Sequence, residues 1–501
     1  MEQIKELAKF VTENREKKID LIDWDGPESS DNYRKTTEWA AKNKVNTEED
    51  IAAIIDAPPG SPKFRKFKSR LKEKLLNNVL FFDIKEEDKT PYHKALMLCG
   101  RNVYCIKVFS TIGLVKSAEK LARSTLNKAL EFELYEAAFY CARELRRFYS
   151  YLGNEEEFNR FNREAEEYAR LNTAENSAYA CLESLYVKVA NTNFFKKELN
   201  ELAKVKLEEV TKIRESSKTY LTGLFYYRVK VIYEELCEDY HAALKTWDNF
   251  DKYIEGYKNF EYNIRMAEIA VQQFYCYLCL EDYVSGQKCA VKCEMYYKPP
   301  AQNWLLYKEY YFLLAMHTRK YNQATATVQQ VLAMPSFMFM HDNRQEKWRL
   351  FEAYNFIMHK ASGVDTNKDP QFNKFKLTKF LNETPIYNKD KEGFNISILV
   401  VQIMIFLLDK KFEELAEKVD ALKRYVSRTF QKDTEYKSHT VIKMIILADK
   451  NNYDFEKTTK ATEDLFADLK IKKYTHSNSY EGLEIVPYSH LWEVVLDCIK
   501  N

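Results

Sequence analysis

An aromatic residue followed three positions later by a small one recurs along this chain at Tyr135/Ala138, Tyr240/Ala243, Tyr283/Gly286 and Tyr321/Ala324, and more loosely at Phe412/Leu415/Ala416. Two antiparallel helices approach closely only where one presents a small side chain, and a ring beside that position plugs the corner. The recurrence therefore predicts stacked helical hairpins. The steps from Tyr240 to Tyr283 and from Tyr283 to Tyr321, 43 and 38 residues, fall within the range of helical-hairpin repeats. A length of 501 residues would suggest about three compact domains, but a solenoid grows as one unit because each repeat contacts only its neighbours. Glycine and proline number 11 each, well under average usage of about 7% and 5%. Sheets, tight hairpins and phosphate loops depend on glycine, so the expected fold class is all-α.

Start signals divide the chain. Ser61-Pro62 and Thr90-Pro91 each pair an N-cap with a proline at the first helical position, where its missing N–H costs nothing. The helix opened by Pro62 carries Phe64, Phe67, Leu71, Leu75, Val79 and Phe82 as one apolar stripe. From Pro91 to about Gly363, helices of roughly 15 to 20 residues are expected to alternate with short turns, including separate helices at 154–171 and 174–191. Breakers at 363–393 surround one short helix near 371–382. Helices resume at 394–409, 412–430, 434–451 and 454–470, and one from Tyr488 to Ile499 is expected to cap the stack. The expected organisation is a helical module at 1–90, helical repeats at 91–362, an irregular insertion or hinge at 363–393, and further repeats with a cap at 394–501.

With Gly286 at the small position of the second helix of a tetratricopeptide pair, Tyr277 takes the tyrosine of the first helix, Cys293 the second small site and Pro299-Pro300 the terminal proline region. The other hairpins keep the corner but lose the tryptophan, glycine and proline marks. Residues 91–470 thus resemble a degenerate tetratricopeptide-like solenoid. The segment DNYRKTTEWAAKNKVNTEEDIAAII followed by KFRKFKSRLKEKLLNNVLFFD looks like the front end of uncharacterised helical-repeat proteins of Bacteroidetes, which implies a bacterial origin and no activity to transfer. The solenoid likeness implies a right-handed superhelix of antiparallel helix pairs that captures peptides, helices or partner proteins on its concave face.

Charge and motifs narrow the function. Lys plus Arg (77) and Asp plus Glu (75) nearly cancel, so no global field favours nucleic acid or an anionic membrane. The longest apolar stretch, Ile396 to Leu408, is short of the roughly 20 residues of a membrane span and reads as a core helix. The N-terminus lacks a charged, apolar and small-residue export pattern, and the 10 scattered cysteines do not form a secreted disulfide framework. A soluble cytoplasmic protein is expected. Phosphate cradles, dinucleotide fingerprints, the hydrolase elbow and H-E-x-x-H are all absent from the sequence, and the eight histidines are dispersed. No catalytic residue and no cofactor are expected.

Three constellations remain. Cys276, Cys279, Cys289 and Cys293 could converge across a hairpin as a zinc-binding set, although small buried thiols also suit the close faces of paired helices. Lys63, Arg65, Lys66, Lys68, Arg70, Lys72 and Lys74 face the single acid Glu73, a pattern that suits phosphates or an acidic partner protein and equally a solvated face, with Phe64 and Phe67 read as core. On the tetratricopeptide frame, Arg228, Tyr275 and Glu309 fall on the inner face of the first helices and are the candidate partner contacts. The leading expectation is a non-enzymatic interaction scaffold or adaptor binding a peptide, helix or partner protein in the solenoid groove. The alternatives are a regulatory subunit of a nucleic-acid-associated complex docking through helix 62–83, and a zinc- or cysteine-dependent enzyme of unrecognised type.

Overall fold

A computed structural model describes residues 32–41, 44–45, 47–80, 90–189, 196–363, 380, 394–429, 437–471 and 484–500. Among the described residues the secondary structure is helical throughout. The insertion expected at 363–393, its short helix, and Phe82 of the apolar stripe lie outside them, apart from Gly363 and Phe380. The chain divides into two compact units, one of residues 1–175 with 259–261 and one of 176–258 with 262–501.

The first unit opens with α1 (Asn32–Ala41), α2 (Glu48–Ile55) and α3 (Pro62–Leu80). Thr47 and Asp50 close a capping box on α2, and the Phe64 amide donates to Ser61 Oγ at 3.2 Å, as the Ser-Pro start requires. Phe64, Phe67 and Leu71 bury one face of α3 against Ile55 and Ala57, and the Tyr33 ring stacks on Phe67 at 4.4 Å. Next come α4 (Pro91–Ile112), α5 (Val115–Glu131) and α6 (Tyr135–Tyr151), each packed on its sequence neighbour. Thr90 caps α4 by accepting from the His93 amide. The helix α7 (Glu155–Val189) runs unbroken where two helices were expected. No glycine or proline stands between Arg170 and Glu175, and Thr173 Oγ1 donates to the Ala169 carbonyl at 2.8 Å, which keeps the residue inside the helix.

The second unit carries α8 (Lys196–Ser216), α9 (Tyr220–Leu236), α10 (Tyr240–Ile254), α11 (Tyr262–Cys279), α12 (Tyr283–Tyr296), α13 (Gln302–His317), α14 (Tyr321–Leu332) and α15 (Asp342–Ala361). After these come α16 (Phe394–Leu408), α17 (Phe412–Thr429), α18 (Lys437–Lys450), α19 (Phe455–Ile471) and α20 (Tyr488–Lys500). Packing is mostly between sequence neighbours, with α11 also against α13, as a helical repeat requires. The apolar α16 is a core helix: Leu399, Val400 and Val401 are at most 1% exposed. The C-terminal α20 packs on α16, α18 and α19 and buries Leu491 and Trp492 completely or nearly so. No helix among the described residues is long and apolar enough to cross a membrane.

The corners share one backbone design. A residue in the left-handed region stands two positions before each corner residue: Glu133 before Tyr135, Glu238 before Tyr240, Glu281 before Tyr283, Arg319 before Tyr321 and Lys410 before Phe412. The amide after it reaches back five residues, as in Leu134 to Ala129, Asp239 to Glu234, Asp282 to Tyr277, Lys320 to Ala315 and Lys411 to Phe406, all at 2.7 to 3.0 Å. This bond closes the outgoing helix. The amide of the small residue then opens the next helix: Ala138, Ala243, Gly286 and Ala324 each donate to the carbonyl four residues earlier. Gly113/Val115/Ala118 and Gly153/Glu155/Phe158 repeat the turn with glycine at the left-handed position. The small residue matters most at Gly286, where an added Cβ would stand 2.3 Å from Leu314 Cδ2.

Candidate functional site

The first helices of successive pairs in the second unit, α9, α11, α13 and α15, face one another through three rungs. Arg228 on α9 donates two hydrogen bonds to Glu268 on α11, from Nε at 2.7 Å and Nη2 at 2.6 Å, and Arg265 Nη1 adds a third at 2.8 Å. Burial pulls the Glu268 carboxyl up, but the two guanidinium groups outweigh it and hold the carboxyl below its ordinary range. On α13, Glu309 pairs with Lys347 of α15. Between these two salt-bridged rungs lies an uncharged one, in which the Tyr275 ring of α11 stands 5.6 Å from Tyr310 of α13 and 6.2 Å from Tyr240 of α10. The structure therefore brings Arg228, Tyr275 and Glu309 onto neighbouring helices, Arg228 and Glu309 each engaged by an oppositely charged partner within the chain.

Glu235 joins the tyrosine rung. It precedes the left-handed Glu238 by three residues, Tyr275 precedes Glu281 by six, and Tyr310 precedes Arg319 by nine. Each step back is close to one helical turn, the stagger by which Glu268 also meets Arg228. The Glu235 side chain is half-buried, and its Oε1 is buried without a hydrogen-bond partner among the described residues. Burial, reinforced by Glu234, pushes its carboxyl up to about 8. Glu235 in turn helps raise the Tyr240, Tyr275 and Tyr310 hydroxyls and the Cys276 thiol, each raised first by its own burial. Sequence reading passed over this residue because Tyr233-Glu234-Glu235 resembles an ordinary solvated helix end. The shared stagger from the corners is the signal that could have singled it out.

The other constellations fall elsewhere. Lys63, Arg65, Lys66, Lys68, Arg70 and Lys72 are exposed along α3 and Lys74 is half-buried, while Phe64 and Phe67 belong to the core beneath. Lys68 pairs with Glu48, Lys63 Nζ donates to the Asp56 carbonyl at 3.1 Å, and Lys74 Nζ lies 5.1 Å from the Tyr33 ring centre. Cys276, Cys279, Cys289 and Cys293 are all buried on the α11–α12 hairpin. Cys289 Sγ donates to the Ala270 carbonyl at 3.1 Å. Burial pushes the Cys276 thiol up, and hydrogen bonding with Cys289 together with burial does the same for Cys293, so both are held protonated. Among the described residues no group of three or more His, Cys, Asp or Glu side chains is placed to hold a metal ion.

A pocket of about 370 Å³ opens in the second unit beside the C-terminal ends of α11 and α13. Several of its charges are paired. His317 Nε2 donates to the Glu484 carbonyl at 2.8 Å and its Nδ1 lies 3.7 Å from Glu281, and Lys437 meets the Glu484 carboxylate at 3.1 Å. Arg319 pairs with Glu493. Burial, aided by the Arg319 charge, pushes the neighbouring His490 down to about 4. These contacts tie the segment at 484–493 to α13, to Arg319 just beyond it, and to α18.

No protein-family model, no curated protein and no solved structure matches the chain. The described residues define an all-helical protein whose helix pairs pack mainly in sequence order, consistent with a helical repeat.

Proposed function

We propose that this chain is a non-enzymatic scaffold or adaptor, a tetratricopeptide-like right-handed solenoid whose first-helix face receives a peptide, helix or partner protein. The observation that supports the reading best is the tyrosine rung. Half-buried aromatic side chains at Tyr275 and Tyr310, set between two salt-bridged rungs, offer broad contact area at small entropic cost, the composition of binding hot spots. Affinity capture with mass spectrometry tests it, comparing the chain with the Tyr275→Ala/Tyr310→Ala variant. A protein retained by the former and lost from the latter is the expected result, and equal retention would sink the reading. An experimental structure of residues 91–470 with left-handed winding would remove the tetratricopeptide likeness.

A second reading draws on α3, where Arg65, Lys66, Arg70 and Lys72 project outward together from a buried apolar face. Docking of a nucleic-acid-associated complex there would depend on salt, because cations that neutralise phosphates release counterions. Replacing Lys66, Arg70 and Lys74 by Glu and measuring retention on nucleic acid across salt decides the matter, since an unchanged profile removes this reading.

A further inference from the structure

We infer that the rung formed by Glu235, Tyr275 and Tyr310 is a receptor for a cationic side chain, a lysine or arginine presented by the peptide partner of the scaffold. The inference rests on the scaffold reading and names the chemistry of its anchor.

Three observations point to a cation. The first is the contrast between neighbouring rungs: the carboxylates of Glu268 and Glu309 are each met by a basic side chain of this protein, whereas Glu235 forms no ion pair among the described residues and its buried Oε1 accepts no hydrogen bond. A buried acid left in that state is costly, and an incoming ammonium or guanidinium supplies what is missing. The second is the aromatic surround. The Tyr275 ring centre stands 6.2 Å from that of Tyr240 and 5.6 Å from that of Tyr310, the Glu235 charge acts on all three hydroxyls, and aromatic faces attract cations within about 6 Å. The third is a precedent in the same unit. Arg214 inserts its own guanidinium among Tyr226, Tyr227 and Tyr253, 4.8 to 4.9 Å from each ring centre. What that cluster does with an arginine of the chain, the Glu235 rung is arranged to do with one from outside.

The carboxyl must lose its proton to form the pair. The groups coupled to it by charge are Glu234 on α9, Tyr240 on α10, Tyr275 and Cys276 on α11, and Tyr310 on α13. The raised tyrosines and Cys276 keep their protons near neutral pH, and no cation among these groups offsets Glu235. Glu234 is raised as well, by burial, and accepts from Thr246 Oγ1 at 3.1 Å, so Glu235→Gln must by itself abolish the pH dependence. Cation binding should strengthen by up to about tenfold per pH unit as pH rises toward 8, then level off.

The test uses the full chain with ¹³C-labelled tyrosine rings, the signals of Tyr275 and Tyr310 being assigned by Tyr275→Phe and Tyr310→Phe. Nα-acetyl-lysinamide, Nα-acetyl-argininamide and the neutral Nα-acetyl-norleucinamide are titrated from pH 6 to 9. The expected result is saturable movement of both signals by a cationic probe and not by the neutral one. Glu235→Gln should bind at least about tenfold more weakly and lose the pH dependence. Equal shifts from norleucinamide, no shift from either cation, or an unchanged profile in Glu235→Gln would overturn the inference. Should Glu235→Gln fail to unfold cooperatively, Tyr310→Leu serves instead, with loss of cation binding expected and retention overturning it. Partner capture that depends on Tyr275 and Tyr310 while the cations do not bind would remove only this inference, whereas capture indifferent to both tyrosines would remove the scaffold reading itself.

Discussion

At Gly286 an added Cβ would stand 2.3 Å from Cδ2 of Leu314, which is fully buried and would have to shift within a packed core. Gly286→Ala should therefore destabilise the protein by about 1–3 kcal/mol, measured by urea unfolding. At the neighbouring kind of corner position the expectation reverses. Glu238 holds a left-handed backbone with φ of 58°, a conformation that costs an L-residue roughly 1–2 kcal/mol. Glycine adopts it without that strain but has more freedom to lose on folding, so Glu238→Gly should stabilise by about 0.5–1 kcal/mol in the same assay. The corner aromatics and small residues were legible in sequence because their spacing repeats. The left-handed residue was not, since glutamate, arginine and lysine fill a place usually given to glycine and leave no compositional mark.

Among the helices, the ends read well wherever a cap or corner marked them, as at Pro62, Pro91, Tyr240 and Tyr283. The reading broke at α7, where the gap expected between 171 and 174 lies inside one continuous helix. Contacts between the first helices were the hardest to foresee, because the residue that meets a given side chain depends on a one-turn stagger set by packing and not by sequence spacing. Arg228 and Glu309, read as candidate partner contacts, have their charges met within the chain by Glu268 and Lys347. The rung between α9 and α11 makes a measurable contribution: a double-mutant cycle on Arg228→Ala and Glu268→Ala should show coupling of about 1–3 kcal/mol in unfolding free energy. Additive losses would mean that the two helices are held by apolar packing alone.

Over the whole chain, buried titratable groups give stability a pH profile. Glu235 and Glu352 are raised by burial, to about 8 and about 7, so the native state holds protons that the unfolded state has released. Their contribution is complete below the ordinary carboxyl range and is lost as pH rises toward those values. The advantage of Glu235→Gln over the parent should grow from about pH 4.5 to about pH 8 and then stay constant, followed by urea midpoints across pH. His490 acts in the opposite direction. With its folded value pushed down to about 4, the unfolded chain takes up the proton first, and stability falls as pH drops from about 6.5 to about 4. His490→Gln should flatten that acid limb.

The corners carry one more implication. Their closing bonds join atoms no more than five residues apart, so each joint is written entirely within its own short stretch of chain. Excising Tyr283 through Lys320 would bring Asp282 directly before Tyr321, and Ala324 would meet the carbonyl that Gly286 now uses. At the joint itself, the hydrogen-bonding ends left by such an excision are equivalent to those now present.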